Sequence, residues 1–538
     1  MKLYPIGIQN FEKLRKEGYF YVDKTALLYR LVKTGSYYFL SRPRRFGKSL
    51  MISTLQAYFE GKKELFEGLA IEQLEKDWVK RPVLHLDLNI EKYNTPESLD
   101  KILNDTLEQW EELYETRPSE TSFSLRFAGI IRRACEKSGE RVAILVDEYD
   151  KPMLQAIGDV ELQKAFRTTL KPFYGVLKSM DGYIKFALLT GVTKFGKVSV
   201  FSDLNNLNDI SMDARYVELC GITEKEIHTN FEEELHELAD AQRMTYEDVC
   251  RELKACYDGY HFTENSIGIY NPFSLLNTFF KMKFGSYWFE TGTPSYLVEL
   301  LKRHNYDLHH MAHEETNADI LNSIDSESTN PIPVIYQSGY LTIKGYEPRF
   351  GMYRLGFPNR EVEEGFLKYL MPFYTNTDKV DSPFQIQKFV SEVEAGQIDA
   401  FFRRLSSLMA DTPYELVRDL ELHYQNILFI VFKLVGFYVK AKYHTSEGRV
   451  DLVLQTDKYT YVMEFKFDST AEEALRQIND KHYAHPFEAD TTRTLYKIGV
   501  NFSSKTRNIE KWLVETVDPV VNDNRDRSQS NGESEEIR

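Results

Sequence analysis

YYFLSRPRRFGKS, Tyr37–Ser49, is the stretch on which the reading of this chain turns. Its apolar start reads as a strand, its middle as a loop, and Gly47-Lys48-Ser49 opens an amphipathic helix over Leu50–Phe59. A phosphate chain needs this combination. Backbone N–H groups and a helix N-terminus accept its negative charge, Lys48 reaches the outer phosphates, and the Ser49 hydroxyl is placed to ligate Mg²⁺. The usual G-x-x-x-x-G-K-[ST] spacing puts a glycine at position 42, where this chain has Arg42, and Pro43 removes one N–H donor.

Working outward, VAILVDEYD (Val142–Asp150) is an apolar run ending in carboxylates. In a nucleotide site such a strand supplies Asp147 to hold Mg²⁺ through water and Glu148 to polarise the attacking water. Thr190, closing the next apolar run, is the candidate polar sensor of the terminal phosphate. Arg44 and Arg45 are placed to brace phosphate oxygens, and Phe46 and Gly47 complete the loop. Five buried strands are expected: Tyr37–Ser41, Val83–Leu88, Val142–Asp147, Ile184–Thr190 and Tyr216–Cys220. Amphipathic stretches at Ser98–Tyr114, Phe123–Lys137 and Glu161–Met180 separate them. Alternation of this kind marks an α/β domain with a parallel sheet and crossover helices.

A chain of 538 residues exceeds one ordinary core. The boundaries read as an α/β nucleotide domain over 1–220, a mostly helical subdomain over 221–375, a second α/β domain over 385–520, and a polar tail over 521–538 expected to be disordered. In the helical stretch, Thr223 with Glu226 three residues on signals a helix start, and His309–Asn330 reads as a surface loop. Net charge is −15, so no global positive field draws the chain to nucleic acid, and any such contact must come from a local patch. The four cysteines lack metal-ligand spacing and read as free thiols. Charges interrupt the N-terminal segment where a signal peptide needs an apolar run, and no stretch reaches the roughly 18 apolar residues of a membrane span. The expected location is the cytoplasm, with no membrane partner.

YVDKT (Tyr21–Thr25), SRPRRFGKS (Ser41–Ser49), LVDEYD (Leu145–Asp150), LLTGVTKFGKVSVFSDLNNLNDIS (Leu188–Ser211), YDGYHF (Tyr257–Phe262) and YNPFSLLN (Tyr270–Asn277) resemble the bacterial AAA-ATPase-like family. Members usually carry a C-terminal PD-(D/E)XK nuclease-superfamily domain, and their phosphate loop characteristically reads Arg-Pro-Arg-Arg-Phe-Gly-Lys-Ser. The resemblance therefore implies a P-loop fold and ATP binding, and makes Arg42 a family trait.

Near the end, Gly448-Arg449-Val450-Asp451 precedes Glu464-Phe465-Lys466 by twelve residues. Arg449–Gln455 and Tyr459–Phe467 read as a hairpin turning at Thr456-Asp457-Lys458. Glu464 and Lys466 share a strand face, because side chains two apart point the same way. Two carboxylates, Asp451 and Glu464, can hold Mg²⁺ against a scissile phosphate while Lys466 steadies the nucleophile or the developing charge. A helix from Ala471 and a strand over Leu495–Phe502 follow. The family resemblance adds Glu421, on the helix ahead of the hairpin, as a third metal ligand, and Gln477 and Tyr483 as accessory residues. Arg449 is a candidate phosphate contact.

The aromatic segments Trp288–Pro294 and Gln337–Thr342 resemble the same family; an aromatic there can stack on a base or adenine, but core packing is the favoured reading. The leading expectation is an ATP-regulated, Mg²⁺-dependent phosphodiesterase acting on DNA or RNA. The alternatives are a nucleotide-dependent switch or scaffold whose nuclease-like domain binds without cutting, and an ATPase whose hairpin domain takes another substrate. Oligomerisation is open on these residues.

Overall fold

The computed structural model describes residues 2–194, 206–290, 297–298, 300–301, 304–321, 330–375, 381–410, 419–443 and 451–517. Two compact units divide the chain, Met1–Phe366 and Leu367–Arg538.

In the first unit, Tyr37–Ser41 (β1), Val83–Asp87 (β2), Val142–Asp147 (β3), Ile184–Gly191 (β4) and Asn208–Asp209 (β5) form a parallel sheet in the order β2-β3-β4-β1-β5. Every residue of β3 is buried, as a strand covered on both faces requires. The helices Lys48–Phe59 (α1), Pro96–Tyr114 (α2), Phe123–Ser138 (α3) and Val160–Ser179 (α4) alternate with these strands. Leu99, Ile102, Leu103, Leu107 and Trp110 recur at helical spacing and give α2 one buried face. Register pairs Leu40 with Thr190 and Asp87 with Asp147, so the loop after β1 and the acidic end of β3 meet at the carboxyl edge of the sheet.

One of the five expected strands is not a strand. Ala214–Leu219 is a 3₁₀ turn, begun by the Asp213 side chain accepting from the Arg215 N–H, and the fifth strand is the two-residue β5. Tyr216, Val217 and Leu219 are buried all the same, and a short apolar run looks alike in either conformation.

Beyond it, helices Glu224–Asn230, Glu232–Gln242, Tyr246–Tyr257 and Pro272–Lys281 (α5) pack around Phe231, Leu235, Leu253, Tyr257 and Phe279. The capping box is formed: Thr223 Oγ1 accepts from Glu226 N, and Glu226 Oε2 accepts from Thr223 N. The stretch is mostly helical, as expected, and short strands interrupt it. Ile222–Thr223 (β6) pairs with Ile269–Tyr270 (β7), and Glu315–Asn317 (β8), Thr342–Glu347 (β9) and Met352–Gly356 (β10) form an antiparallel sheet in the order β8-β10-β9. His309–Asn330, read as a loop, contributes β8 and the turn of helix Ala318–Leu321, while 322–329 lie outside the described residues. Pairing partners supplied by β9 and β10 create these strands, and a single polar segment does not reveal them. Helix Arg360–Tyr374 (α6) contains the division between the two units.

The second unit holds Leu420–Gly436 (α7) and a five-stranded mixed sheet. Lys440–Tyr443 (β11), Leu452–Gln455 (β12), Tyr459–Phe467 (β13), Thr494–Ser503 (β14) and Asn508–Val517 (β15) lie in chain order. The expected hairpin is present, with Leu452 opposite Met463 and Gln455 opposite Thr460. Helix Ala471–Asp480 (α8) links β13 to the parallel β14. β11 and β15 were not anticipated. Arg449 and the polar tail lie outside the described residues. Among the described residues no helix is long and apolar enough to cross a membrane.

Candidate functional sites

Gly47, with φ +92°, turns the chain from the loop into α1, a conformation that a side chain would strain. The free N–H groups of the first turn of α1 and the cavity beside them form a concave site of about 460 Å³. Arg44, Arg45, Gly47, Lys48, Ser49 and Glu148 line it, facing residues 5–9 of the N-terminal segment. Lys48 is only 4% exposed, and its Nζ donates to the carbonyls of Arg42 and Pro43 at 3.1 and 3.3 Å. It lies 3.5 Å from Glu148 Oε1. Glu148 adopts a left-handed φ of +52°, which lifts its carboxylate off the end of β3. Thr190 Oγ1 donates to Asp147 Oδ1 at 2.7 Å, so the proposed sensor and the proposed metal ligand touch directly.

Phe46 departs from its expected place. Its ring is buried edge-on against Tyr260 and Phe262, with centroids 4.7 and 5.9 Å away, and it is absent from the cavity wall. An aromatic ring in a loop of arginines finds its apolar surroundings in the core instead. Arg42, standing where a glycine is usual, is 1% exposed. Its NH1 donates to the carbonyls of Ser41 and Ser211, its NH2 to that of Tyr216, and its guanidinium lies 4.0 Å from the Phe262 ring centroid. Arg42 is therefore a buried strut, turned away from the cavity.

Two residues beside this site carried no part in it in the sequence reading. Asp150 is fully buried and accepts from Val192 N, Thr193 N and Thr193 Oγ1, fixing the chain that leaves β4. Burial, reinforced by the charge of Glu148, raises its carboxyl above the ordinary range. The indole Nε1 of Trp288 donates to the Arg44 carbonyl at 2.9 Å. Only the acidic motif around Asp150 was visible beforehand. Trp288 is more than 240 residues from its partner, and no local signal marks it.

In the second unit Asp451, just ahead of β12, is held beside β13, which carries Glu464 and Lys466. Asp451 Oδ2 accepts from the Phe465 N–H at 2.9 Å, which holds it beside the strand of its partner. Glu464 is 2% exposed, and its Oε1 accepts from Lys466 Nζ at 3.2 Å and Gln477 Nε2 at 2.5 Å. Its Oε2 is buried without a hydrogen-bond partner among the described residues. Burial, together with the neighbouring Asp451, pushes the Glu464 carboxyl up to about 7 against the pull of Lys466. Burial raises Asp451 as well, opposed by the Phe465 N–H and Lys466. Two carboxylates so destabilised as anions, one with an unpaired buried oxygen, suit a divalent cation, which would satisfy both. Tyr483 packs against the cluster of Val453, Val462 and Ile478 and does not reach Glu464 by any hydrogen bond among the described residues.

Glu421 does not join them. It is exposed in the first turn of α7, and its nearest polar partner is Gln425, one helical turn on, at 3.5 Å. Among the described residues no three His, Cys, Asp or Glu side chains converge as a metal-ligand group. A carboxylate in the first turn of a helix is stabilised by the axis dipole where it stands.

The parallel sheet with its phosphate-loop cavity, and the mixed sheet carrying Asp451, Glu464 and Lys466, define a nucleotide-binding ATPase domain joined to a nuclease-like domain. Residues 5–201 match the family described as Predicted AAA-ATPase, and 419–512 match the PD-(D/E)XK nuclease superfamily. A relative from Azotobacter chroococcum mcd 1, the uncharacterized protein in vnfD 5'region, is 35% identical over 534 residues, covering 96% of this chain and 99% of that one. The chain belongs to this family of AAA-ATPase-like proteins with a C-terminal PD-(D/E)XK nuclease-superfamily domain. Among solved structures, the Aeropyrum pernix ORC2 protein in its ADPNP–ADP complexes aligns with 62% of this chain and 87% of its own at 12% identity. The TM-score is 0.20, too low to carry a structural argument.

Proposed function

We propose that the protein binds and hydrolyses ATP at the first-unit cavity and that its second unit is a nucleic-acid phosphodiesterase whose cutting the nucleotide controls. Domain limits near 1–220, 221–375 and 385–520, a cytoplasmic location and DNA or RNA as the partner belong to the same reading. In it, the first turn of α1 and Lys48 hold the phosphates, Arg44 and Arg45 brace them, Ser49 and Asp147 hold Mg²⁺, and Thr190 fixes Asp147. Glu148 takes the proton of the attacking water. Asp451 and Glu464 hold the second Mg²⁺, Gln477 steadies Glu464, and Lys466 faces the developing charge on the phosphate. When bound, the ion neutralises phosphate charge and lowers the pKa of water.

The observation that carries this reading is Glu464, a buried carboxylate with one oxygen unpaired beside Asp451 and Lys466. Bland packing would not retain such a group, since a buried carboxylate oxygen left without a partner is costly. The exposed position of Glu421 favours a second reading, in which only two carboxylates line the site and the domain binds without cutting. Cleavage of labelled single- and double-stranded DNA and RNA separates the two, using wild type, Glu464→Gln and Lys48→Ala with ATP and Mg²⁺ or Mn²⁺. Cutting lost in Glu464→Gln supports the phosphodiesterase. Binding without cutting in wild type supports the switch.

A further inference from the structure

The phosphate loop is shaped from outside. Arg42 is tied to the carbonyls of Ser211 and Tyr216, and Pro43 lies so close to Gly339 that a methyl group there would stand 2.6 Å from its Cβ. The Arg45 guanidinium lies 5.0 Å from the Phe273 ring centroid, and the Phe46 carbonyl accepts from Gly221 N at 3.1 Å. Arg45 itself has a left-handed φ of +66°, which a free loop would not keep. With an arginine in place of the first glycine and a proline beside it, the loop borrows its shape from residues 211–340.

One of these ties goes further than the rest. Trp288 lines the cavity and is 5% exposed. Its indole N–H holds the Arg44 carbonyl at 2.9 Å, while its own backbone N–H donates to Glu361 Oε1 at 2.8 Å. The same oxygen accepts from Ser274 Oγ of α5 at 3.0 Å. Glu361 is buried in the first turn of α6, whose start is fixed by Asn359 Oδ1 accepting from Val362 N. The division between the two units falls later in that helix, between Phe366 and Leu367. A hydrogen-bonded path thus runs from the phosphate loop through one tryptophan to the one described helix that both units share.

We infer that Trp288 is a positioning residue for the phosphate loop and that, through Glu361, it makes α6 register whether the nucleotide site is filled. A nucleotide that draws Arg44 toward its phosphates pulls on the carbonyl held by Trp288. Because the backbone of Trp288 is tied to Glu361, the first turn of α6 responds. The inference rests on the proposed nucleotide binding and gives its control of the second unit a physical route. Stated as a coupling, it requires that the state of α6 and the affinity for nucleotide change together.

Trp288→Phe removes the indole N–H and keeps an aromatic ring and the backbone N–H. Glu361→Gln keeps an acceptor for Trp288, and Glu361→Ala removes it. ATP affinity of the full chain is measured by titration calorimetry, and hydrogen exchange over 360–374 with and without saturating ATP. The expected result for Trp288→Phe is ATP binding weakened about three- to tenfold, the net worth of one hydrogen bond. Slowing of exchange in α6 by ATP should occur in wild type and Glu361→Gln and vanish in Trp288→Phe even at saturation. Glu361→Ala should behave like Trp288→Phe. If the phenylalanine variant binds ATP as wild type does and α6 exchange responds equally in both, the inference is overturned and the nucleotide reading stands. If wild type binds no ATP, that reading falls and takes the inference with it. No readout depends on cleavage, so an inactive second unit leaves the outcome decidable.

Discussion

Replacing Glu464 with glutamine should stabilise the second unit, and by an amount that depends on pH. The wild-type carboxyl is raised from an ordinary 4.5 to about 7, chiefly by burial. The sign follows from proton counting. Between these two values the folded chain holds a proton that the unfolded chain releases, so stability falls as pH rises through the window. Above pH 7 the buried anion lowers stability by up to about 3 kcal/mol, since each tenfold change in proton affinity is worth about 1.4 kcal/mol. Glutamine is never charged and keeps a carbonyl oxygen for Gln477 and Lys466, so the variant escapes this term. The net gain is about 3 kcal/mol at pH 8.5 and close to nothing at pH 4.5. Hydrogen exchange of the β13 and β14 amides in the full chain reads this directly, once intrinsic rates at each pH are divided out. Roughly a hundredfold greater protection in the variant at pH 8.5 is expected. Millimolar Mg²⁺ should narrow that gap by stabilising wild type alone. Equal protection at both pH values, or a variant weaker throughout, would refute the claim that Glu464 is held in an unfavourable charged state.

Two further perturbations test the first unit. Arg42→Gly restores the glycine of the common motif, yet it strips donors from three carbonyls and opens a cavity beside Phe262, so we expect about 3–5 kcal/mol of destabilisation and weaker ATP binding. Thermal unfolding and calorimetry check this, and tighter binding would contradict the strut role. Thr190→Val removes the donor to Asp147 Oδ1 while keeping the shape, and should lower stability by about 1–2 kcal/mol and slow ATP turnover more than it weakens ATP binding. A variant with unchanged turnover would make Thr190 a packing residue only.

What the sequence disclosed and what it withheld divide along a physical line. Lys48, Ser49, Asp147 and Glu148 could be placed because each stands at the end of its own strand or the start of its own helix, where local pattern sets position. The hairpin bearing Asp451 and Glu464 was legible for the same reason, since alternation along one strand puts Glu464 and Lys466 on one face. Arg42 was not legible, because two of its three partners are backbone carbonyls about 170 residues away, and a carbonyl has no sequence signature. Trp288 was read as packing, and it is buried, but the decisive fact is where its N–H points. Glu421 erred in the other direction: a carboxylate opening a helix is favourable by itself, so its presence carries no message about a metal. Strands β5 and β8 failed because two or three residues hold a strand only when a neighbour supplies the ladder.

The same line explains the altered phosphate loop. A loop rich in glycine holds its shape through local backbone freedom, and its motif can therefore be read alone. Here Arg42 and Pro43 replace that freedom with contacts to Ser211, Tyr216 and Gly339, which transfers the loop's conformational control to residues 211–340. Those residues would be dispensable for phosphate binding in a self-sufficient loop. If Lys48 binds phosphate as proposed, then Ser211, Tyr216 and Gly339 act on that site through the loop, and changes at these three should register first as a change in ATP affinity.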